Sequence, residues 1–427
     1  MNEDVNPVEP ESRRKGESQI HAVTHVWQHD TAPELSVPPT LQDNSRYQLI
    51  NLLDQGGMGS VFRARDVVIK VLRVDSTQRP NALAAYANEA RVLSYLSHPG
   101  IAPIYDCGTT TEGHPYHVMK LISGETLEQI LQQGDCTAAQ LIGIFADIAE
   151  TMAFAHSRSV IHLDLKPANI MVGDFGEVYV MDWGLARFES SARDNCSEFA
   201  APERYPIAGT PEYMSPEQAR GESLDARADV FGLGALLCEV LTGQAPYSGK
   251  NVGQVHRKAL RGCTGDLLDR LELCDTDRAL IRLTKRCLAP SRKDRPRDAG
   301  EIVAAVSDYR ESALQRAEND MDRFFELSLD LFCIADFDGF FRRINSNFSR
   351  VLGYTEAELL ARPFMDFVHS EDIAQTQNIM QTLGEGRPVV RFANRYRTSH
   401  GRYVKLEWTA KAVPSEDVIF AVARDIR

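Results

Sequence analysis

The residues best equipped for chemistry lie together in one short stretch, Val160 to Val172, which reads VIHLDLKPANIMV. Two apolar, β-like runs flank a polar loop that carries His162, Asp164, Lys166 and Asn169. An Asp with Lys two residues on and Asn five residues on sets a proton acceptor, a cation and a metal-ligating amide around one point. Phosphoryl transfer needs those three groups: Asp164 to take the proton of an attacking hydroxyl, Lys166 to hold the γ-phosphate, Asn169 to hold Mg²⁺. After the strand-like GEVYVM comes Asp182-Trp183-Gly184, whose carboxylate suits the same metal.

Such groups act only when firm elements hold them, and the flanking sequence supplies these. From Tyr47 the chain runs through short β-branched strands, YQLINLL, SVFRAR and VVIKVL. Asp54-Gln55-Gly56-Gly57-Met58-Gly59 separates the first two, and glycine there lets backbone amides approach a polyphosphate with no Cβ in the way. A plain glycine-rich hairpin has the same pattern, so the weight falls on two charged residues beyond it. One is Lys70, in VVIK; the other is Glu89, on a helix-like stretch from Asn81 to Leu96. Thr137 to Ser157 sets Leu141, Phe145, Ile148, Met152 and Ala155 at helical spacing, which predicts a core helix leading into the polar loop.

Taken in order, these motifs resemble the eukaryotic-type protein kinases, with HxDxKxxN at the loop and DWG where the family has DFG. GGMGSVFRARD and LSHPGIAPIYDCG are similar to bacterial serine/threonine kinases in particular. The resemblance implies a two-lobed α+β kinase fold that uses ATP and Mg²⁺ to phosphorylate protein substrates. On it, Gly56, Gly57, Gly59, Val61 and Val68 line the nucleotide, and Lys70 pairs with its α/β-phosphates and with Glu89. In YHVMKLISGETL, Met119 becomes the gatekeeper and Lys120-Leu121 the adenine-facing hinge. Asp164, Lys166, Asn169 and Lys70 form the catalytic set, with Asn169 and Asp182 as metal ligands. The run GTPEYMSPE from Gly209 resembles the anchor of an activation segment. Its substrate-facing Thr210, with Lys166, implies serine/threonine specificity. Asp229, in the helical run Asp225 to Leu241, matches the buried acid that braces the catalytic loop, and Arg295 matches the partner of Glu217.

Residues 301 to 324 carry Ile302, Val306, Tyr309, Ala313, Ala317, Met321 and Phe324 three or four apart, an apolar stripe on a helix. It reads either as the kinase's last helix with a packed linker or as a dimerising connector. From Phe325 the character changes to a small α+β unit: LFCIADFDGFFRRIN as two strands, Thr355 and Glu358 at capping-box spacing, and RFANRYRTSHGRYVKLEWTA as a hairpin. N-x-x-F-S-R-V-L-G-Y, D-F-V-H-S-E-D and A-V-A-R-D-I resemble a PAS domain with its PAC half. Its ligand is unknown. A flavin adduct needs a Cys after an Asn in the central helix, whereas the only cysteine here, Cys333, lies in the first strand. His369 sits in a loop where many PAS domains carry a His without haem.

The chain departs from the kinase pattern at four places. Asp54 replaces the loop's first glycine, Arg65-Asp66 runs straight into VVIK, and Val68 replaces the alanine beside adenine. Leu163 stands where many kinases have an arginine that pairs with an activation-segment phosphate. Ser190, Ser191 and Ser197 are available for phosphorylation and Arg187 and Arg193 can bind phosphate, yet the central anchor is missing. Activity is therefore expected to be set by the connector and the PAS domain. The alternative is a pseudokinase scaffold with a PAS sensor, favoured by Asp54, the short hairpin and Leu163. The intact Lys70, Glu89, Asp164, Lys166, Asn169 and Asp182 oppose it, and a pure dimerisation scaffold has no use for the metal-ligating pair.

Composition sets the frame. A chain of 427 residues suggests two or three domains, and its 43% apolar and 25% charged content is that of a soluble globular protein. A net charge of −13 argues against nucleic acid or an anionic membrane as the main partner. The eight cysteines form no CxxC pair, which points away from zinc and disulfides and fits a reducing cytoplasm. No signal-peptide order is present at the N-terminus. The most apolar helical run, Val230 to Leu241, is interrupted by Glu239 and too short to span a bilayer of about 30 Å. The expected organisation is a disordered, Pro-containing acidic segment at 1–45, a kinase domain at 46–310, a connector at 311–324 and a PAS/PAC domain at 325–427. His21, His25 and His29 recur at helical spacing in the first segment without the Cys or carboxylates that complete a metal site.

Overall fold

The computed structural model describes residues 49–55, 59–64, 67–72, 80–110, 113–189, 208–262 and 265–426. Outside these lie the 1–45 segment with its three histidines, Gly56, Gly57, Arg65 and Asp66, and Ser190, Ser191, Arg193 and Ser197. The described residues form two compact units that divide between Tyr309 and Arg310.

In the first unit the β-branched runs become β1 (Leu49–Gln55), β2 (Gly59–Ala64) and β3 (Val67–Leu72). With β4 (Ile104–Thr109) and β5 (Pro115–Lys120) they make an antiparallel sheet of order β1-β2-β3-β5-β4. Ala64 pairs with Val67, so the clipped connection still closes a regular ladder. Strand alternation gives the sheet two faces. Phe62, Ala64, Ile69, Val71 and Val118 pack together on one, while Val68 and Met119 join the main core on the other. Lys70 shares that second face by its parity with Val68, and α1 (Pro80–Tyr95) carries Glu89 to it.

The rest of the unit is helical. α2 (Leu127–Gln133) and α3 (Ala138–Ser157) each begin with a capping box, Thr126 with Gln129 and Thr137 with Gln140. Between α3 and the later helices the chain forms β7 (Val160–Ile161), β8 (Ile170–Gly173), β9 (Val178–Val180) and β10 (Arg187–Phe188). β8 and β9 extend β6 (Gly124–Thr126), and β10 pairs with β7. There follow α4 (Pro216–Ala219), α5 (Ala226–Thr242), α6 (Val252–Arg261), α7 (Gly265–Leu273) and α8 (Arg278–Cys287). α5 is buried on nearly every side, and its Val230, Leu233 and Leu236 meet Phe145, Ile148 and Met152 of α3 in one core. Gly234 permits the close approach of α8, since a Cβ there would stand 2.5 Å from the Cβ of Cys287. α3, not the Val230–Leu241 run, is the one described helix long and apolar enough to cross a membrane, and half of that window is buried within the fold.

α9 (Ala299–Leu327) is a single helix, for the sequence holds neither Gly nor Pro between Gly300 and Gly339 to stop it. Its apolar stripe is covered only at the start. Ile302 and Val306 are buried, whereas Met321 and Phe324 are 69% and 68% exposed.

The second unit contains β11 (Leu331–Ala335), β12 (Phe341–Ile344), α10 (Ser346–Leu352), α11 (Glu356–Leu360) and α12 (Ile373–Gly384). β13 (Val389–Arg397), β14 (Tyr403–Val413) and β15 (Val418–Asp425) complete an antiparallel sheet of order β12-β11-β15-β14-β13. Thr355 and Glu358 form the expected capping box on α11. Phe341, Phe348, Phe367, Leu406 and Trp408 fill the space between the helices and the sheet.

Candidate active site

β3 and α1 bring Lys70 against Glu89, with Nζ donating to Oε1 at 2.8 Å and to Oε2 at 2.7 Å. Asp182 Oδ1 lies 3.6 Å from the same ammonium. Burial by itself disfavours the Lys70 cation, but the Glu89 and Asp182 carboxylates outweigh it and hold the lysine above its usual range. Lys70 is therefore a fixed positive charge at the sheet's inner face. Tyr86, one turn before Glu89, donates its hydroxyl to Lys70 O at 2.6 Å and so ties α1 to β3 a second time.

The loop after β7 is shaped by α5. Asp229 accepts the backbone N–H of His162 at 2.7 Å and that of Leu163 at 2.8 Å, and the carboxylate is buried. Those two bonds hold Leu163 at φ +70°, a left-handed conformation rare for a branched side chain. The turn points Asp164 into a compact cluster. Its Oδ1 accepts Thr210 N and Thr210 Oγ1, both at 2.9 Å. Its Oδ2 accepts Lys166 Nζ at 3.0 Å and Asn169 Nδ2 at 3.1 Å. Lys166 Nζ also donates to Thr210 Oγ1 at 3.0 Å, so base, cation and threonine share one network.

Thr210 is brought there by its neighbours. Gly209 has φ +118°, and a Cβ on it would sit 2.8 Å from Gln218 Nε2. Gln218 in turn donates to Leu163 O at 2.6 Å and to Ala208 O at 2.9 Å, linking α4 to both sides of the cluster. α4 is itself anchored by Glu217, which meets Arg295 in a two-pronged pair at 2.6 and 3.0 Å. On the far side, His162 donates from Nε2 to Met181 O at 2.9 Å and packs edge-on against Trp183 at 4.6 Å. This fixes the backbone just before Asp182, which has φ +58°.

A profile of the protein kinase domain matches residues 47–305, more than half of the chain. The chain belongs to the protein kinase family. A PAS-fold profile matches residues 341–421, within the second unit. The serine/threonine-protein kinase PknB of Mycobacterium tuberculosis is 40% identical over 225 residues, covering 50% of this chain and 35% of the relative. PknB of Mycobacterium leprae is 37% identical over 280 residues, covering 63% of the chain and 43% of the relative. PknD of Protochlamydia amoebophila is 30% identical over 294 residues, 62% of the chain and 30% of the relative. This chain spans about a third of the length of these curated relatives.

Within this kinase domain the structure gathers Lys70, Glu89, Asp164, Lys166, Asn169 and Asp182 around one region. Val61 and Val68 lie on neighbouring strands of the same sheet, Val61 paired with Lys70 and Val68 with Met119. Gly59 opens β2, while Gly56 and Gly57 are not among the described residues. Lys120 ends β5 and turns its ammonium to the Tyr179 hydroxyl at 2.6 Å, and Leu121 packs against the main core. Asn169 uses its amide N–H groups on Asp164 O and Oδ2, which leaves Oδ1 as its atom for a cation. An amide oxygen and a carboxylate are hard donors, and two protein ligands suit Mg²⁺, which keeps waters and phosphate oxygens for the rest.

Sequence reasoning missed three residues. Gln218 followed the SPE motif without any pattern to mark it. His156 closes α3 and bonds Asp229 at 3.0 Å. His117 on β5 is fully buried, stacked on Tyr86 at 4.6 Å and 4.0 Å from Glu89 Oε1. Burial pushes its pKa down to about 3, so a neutral ring backs the Lys70–Glu89 pair. Only tertiary contact reveals it.

In the PAS unit, Asp372 of the D-F-V-H-S-E-D motif is gripped by Arg395 of β13 at 2.7 and 2.9 Å. Trp408 Nε1 donates to Asn394 Oδ1 at 2.8 Å, and Asn394 Nδ2 donates to Thr376 at 3.1 Å, a buried polar chain inside the fold. His369 caps the short turn at Ser370, accepting Glu371 N at 3.2 Å on Nδ1. Cys333 faces the core from β11, and burial raises its thiol well above the usual range.

Proposed function

We propose that the chain is a protein kinase that transfers the γ-phosphate of ATP to serine or threonine hydroxyls of protein substrates. The observation that carries this is the Asp164 carboxylate, held by Thr210, Lys166 and Asn169 at once while Lys70 is charged and paired with Glu89. A pseudokinase has no need of so complete a set. Asp164 accepts the proton of the attacking hydroxyl, and its contact with Thr210 positions it towards the substrate segment. Lys166 offsets charge on the γ-phosphate, and Lys70 holds the α/β-phosphates. Gly56, Gly57, Gly59, Val61, Val68, Met119, Lys120 and Leu121 form the nucleotide cradle. Asn169 and Asp182 would hold Mg²⁺, which would supply neutralisation of the phosphate charge when bound. Glycine amides and a preformed Lys70–Glu89 pair do the positioning that such a reaction requires.

The wider organisation is part of the same proposal. Residues 46–310 are the catalytic domain and 325–427 a PAS/PAC sensor, and the α9 segment around 311–324 connects them. Self-association through this segment is supported by the exposure of Leu314, Met321 and Phe324 on one helix. Control through α9 and PAS, rather than by an activation-segment phosphate, is supported by Leu163. It packs among Ile161, Leu224, Ala226 and Ala228, and its own side chain has no donor for a phosphate.

The test is incubation of the full chain with labelled ATP and Mg²⁺. The wild type should label itself on Ser or Thr, and Asp164→Asn should lose the label, by about a hundredfold or more, while still binding nucleotide. Retained labelling in that variant, or none in the wild type with Mg²⁺ or Mn²⁺, overturns the reading.

A further inference from the structure

The first turn of α9 is hydrogen-bonded to the catalytic loop through a single side chain. Ala299 N, one of the amides that a helix start leaves without an intrahelical partner, donates to His156 Nδ1 at 3.1 Å. Because Nδ1 accepts, the ring's proton lies on Nε2, which donates to Asp229 Oδ2 at 3.0 Å. Asp229 passes the link on, accepting His162 N at 2.7 Å and Leu163 N at 2.8 Å. His156 and Asp229 side chains are 3% and 1% exposed, so water does not compete for these bonds. Both ends of the chain matter. Ala299 and Ile302 are wholly buried and fix the start of α9 in the core. At the other end, the Leu163 backbone is held in its left-handed turn immediately before Asp164.

We propose that His156 is a positioning residue that ties the start of α9 to the catalytic loop, so that the helix leaving the catalytic unit sets the placement of Asp164. The inference rests on the kinase reading and adds to it the route by which α9 acts. Asp229 alone does not give this, because a carboxylate bound only to the loop carries no information about α9. The imidazole does, since its two nitrogens are engaged by different elements and neither can shift without the other. Loss of the Ala299 bond frees the ring to turn, and the Asp229 carboxylate then loses the donor that fixes it opposite His162 and Leu163.

Two substitutions separate the links in the full-length protein. His156→Gln places an amide donor where Nε2 stood and keeps the bond to Asp229, but offers nothing to Ala299. His156→Asn reaches only as far as Nδ1, so it can accept from Ala299 but not donate to Asp229. Each is measured by kcat and KM for ATP and by hydrogen exchange of the 160–166 amides, with peptides from α5 and α8 as internal controls. Both variants should lower kcat by about tenfold, the order of one buried hydrogen bond, with KM for ATP unchanged. Exchange should quicken at 160–166 and not in α5 or α8. The proposal fails if His156→Gln keeps wild-type kcat and loop protection, because the α9 link is then idle. It also fails if all peptides exchange faster together, which marks a merely structural role. Should the wild type show no kinase activity, the kinase reading falls, and the exchange measurement still decides whether His156 couples α9 to the loop.

Discussion

Replacing Arg295 with methionine tests whether the α4 anchor is as costly to break as its geometry requires. Every N–H of the guanidinium is used: two go to Glu217 at 2.6 and 3.0 Å, and the others to the carbonyls of Ala289, Arg227 and Pro290 at 2.7, 2.9 and 3.3 Å. Both side chains are essentially inaccessible, at 0% and 1% exposure. Methionine fills much of the stem's volume, so the loss is electrostatic and not a cavity. A buried carboxylate stripped of the one cation paired with it among the described residues costs about 3–5 kcal/mol, and the three abandoned carbonyls push the value to the upper end. Against a total stability of about 5–15 kcal/mol, the first unit should be close to unfolding. Glu217→Gln alone should cost less, about 1–3 kcal/mol, because the neutral amide still accepts one bond. The double variant should then be more stable than the sum of the two losses by about 2 kcal/mol. Urea titration of the full chain with hydrogen exchange read separately over 49–309 and 310–426 gives these values. A loss below about 1 kcal/mol for Arg295→Met, or strict additivity in the double variant, refutes the reasoning.

Other outcomes rest on the same contacts. Burial alone would raise the Asp229 carboxyl, but the bonds from His156 and from the His162 amide lower it. A depressed folded-state value means that this carboxylate's stabilisation is complete above the unfolded value of about 4 and is lost as pH falls through the lower folded value. The difference in urea midpoint between wild type and Asp229→Asn should therefore be full at pH 7 and shrink in strong acid; an unchanged gap contradicts it. Sedimentation of the full chain should show a dimer at micromolar concentration that Met321→Glu with Phe324→Glu converts to monomer, and a monomeric wild type removes the dimer. Replacing Ser190, Ser191 and Ser197 together with alanine should leave most activity towards an added substrate, and loss of most of it argues for activation-segment control.

What the sequence made legible is what depends on order along the chain. Lys70, Glu89, Asp164, Asn169, Asp182, Asp229 and the Glu217–Arg295 pair are recognisable because their motifs stand in the order that resembles the kinase family. The structure then supplies the contacts that spacing implies, down to the capping box at Thr355. Illegible were residues whose role arises from two elements meeting in space. Gln218 needs the carbonyl of Leu163, far away in sequence, and His156 needs the start of α9. Neither is announced by its neighbours, since Gln and His are ordinary helix residues until a buried acceptor or donor stands opposite. The apolar stripe of α9 was legible only in part. Its spacing is continuous, but burial falls away after Ile302, Val306 and the partly covered Tyr309, so periodicity told which face is apolar and not how far it is buried.

Leu163 shows how a departure from a family pattern becomes interpretable once its surroundings are known. An arginine in its place would need an anion to balance it, and without one would lie among Ile161, Leu224, Ala226 and Ala228 at high cost. Leucine there stabilises the loop by burial instead, and that burial is present whether or not the activation segment carries phosphate. The loop's order then comes from fixed contacts: Asp229 below it, Gln218 at its carbonyl and His162 against Met181. The Leu163 side chain offers no phosphate contact at this position, and the loop is tied to α4 through Gln218, to α5 through Asp229 and, by way of His156, to α9. Of these, α9 alone continues past Tyr309 into the second unit's sequence, and it meets the loop through the hydrogen bonds of Ala299 with His156 and of His156 with Asp229.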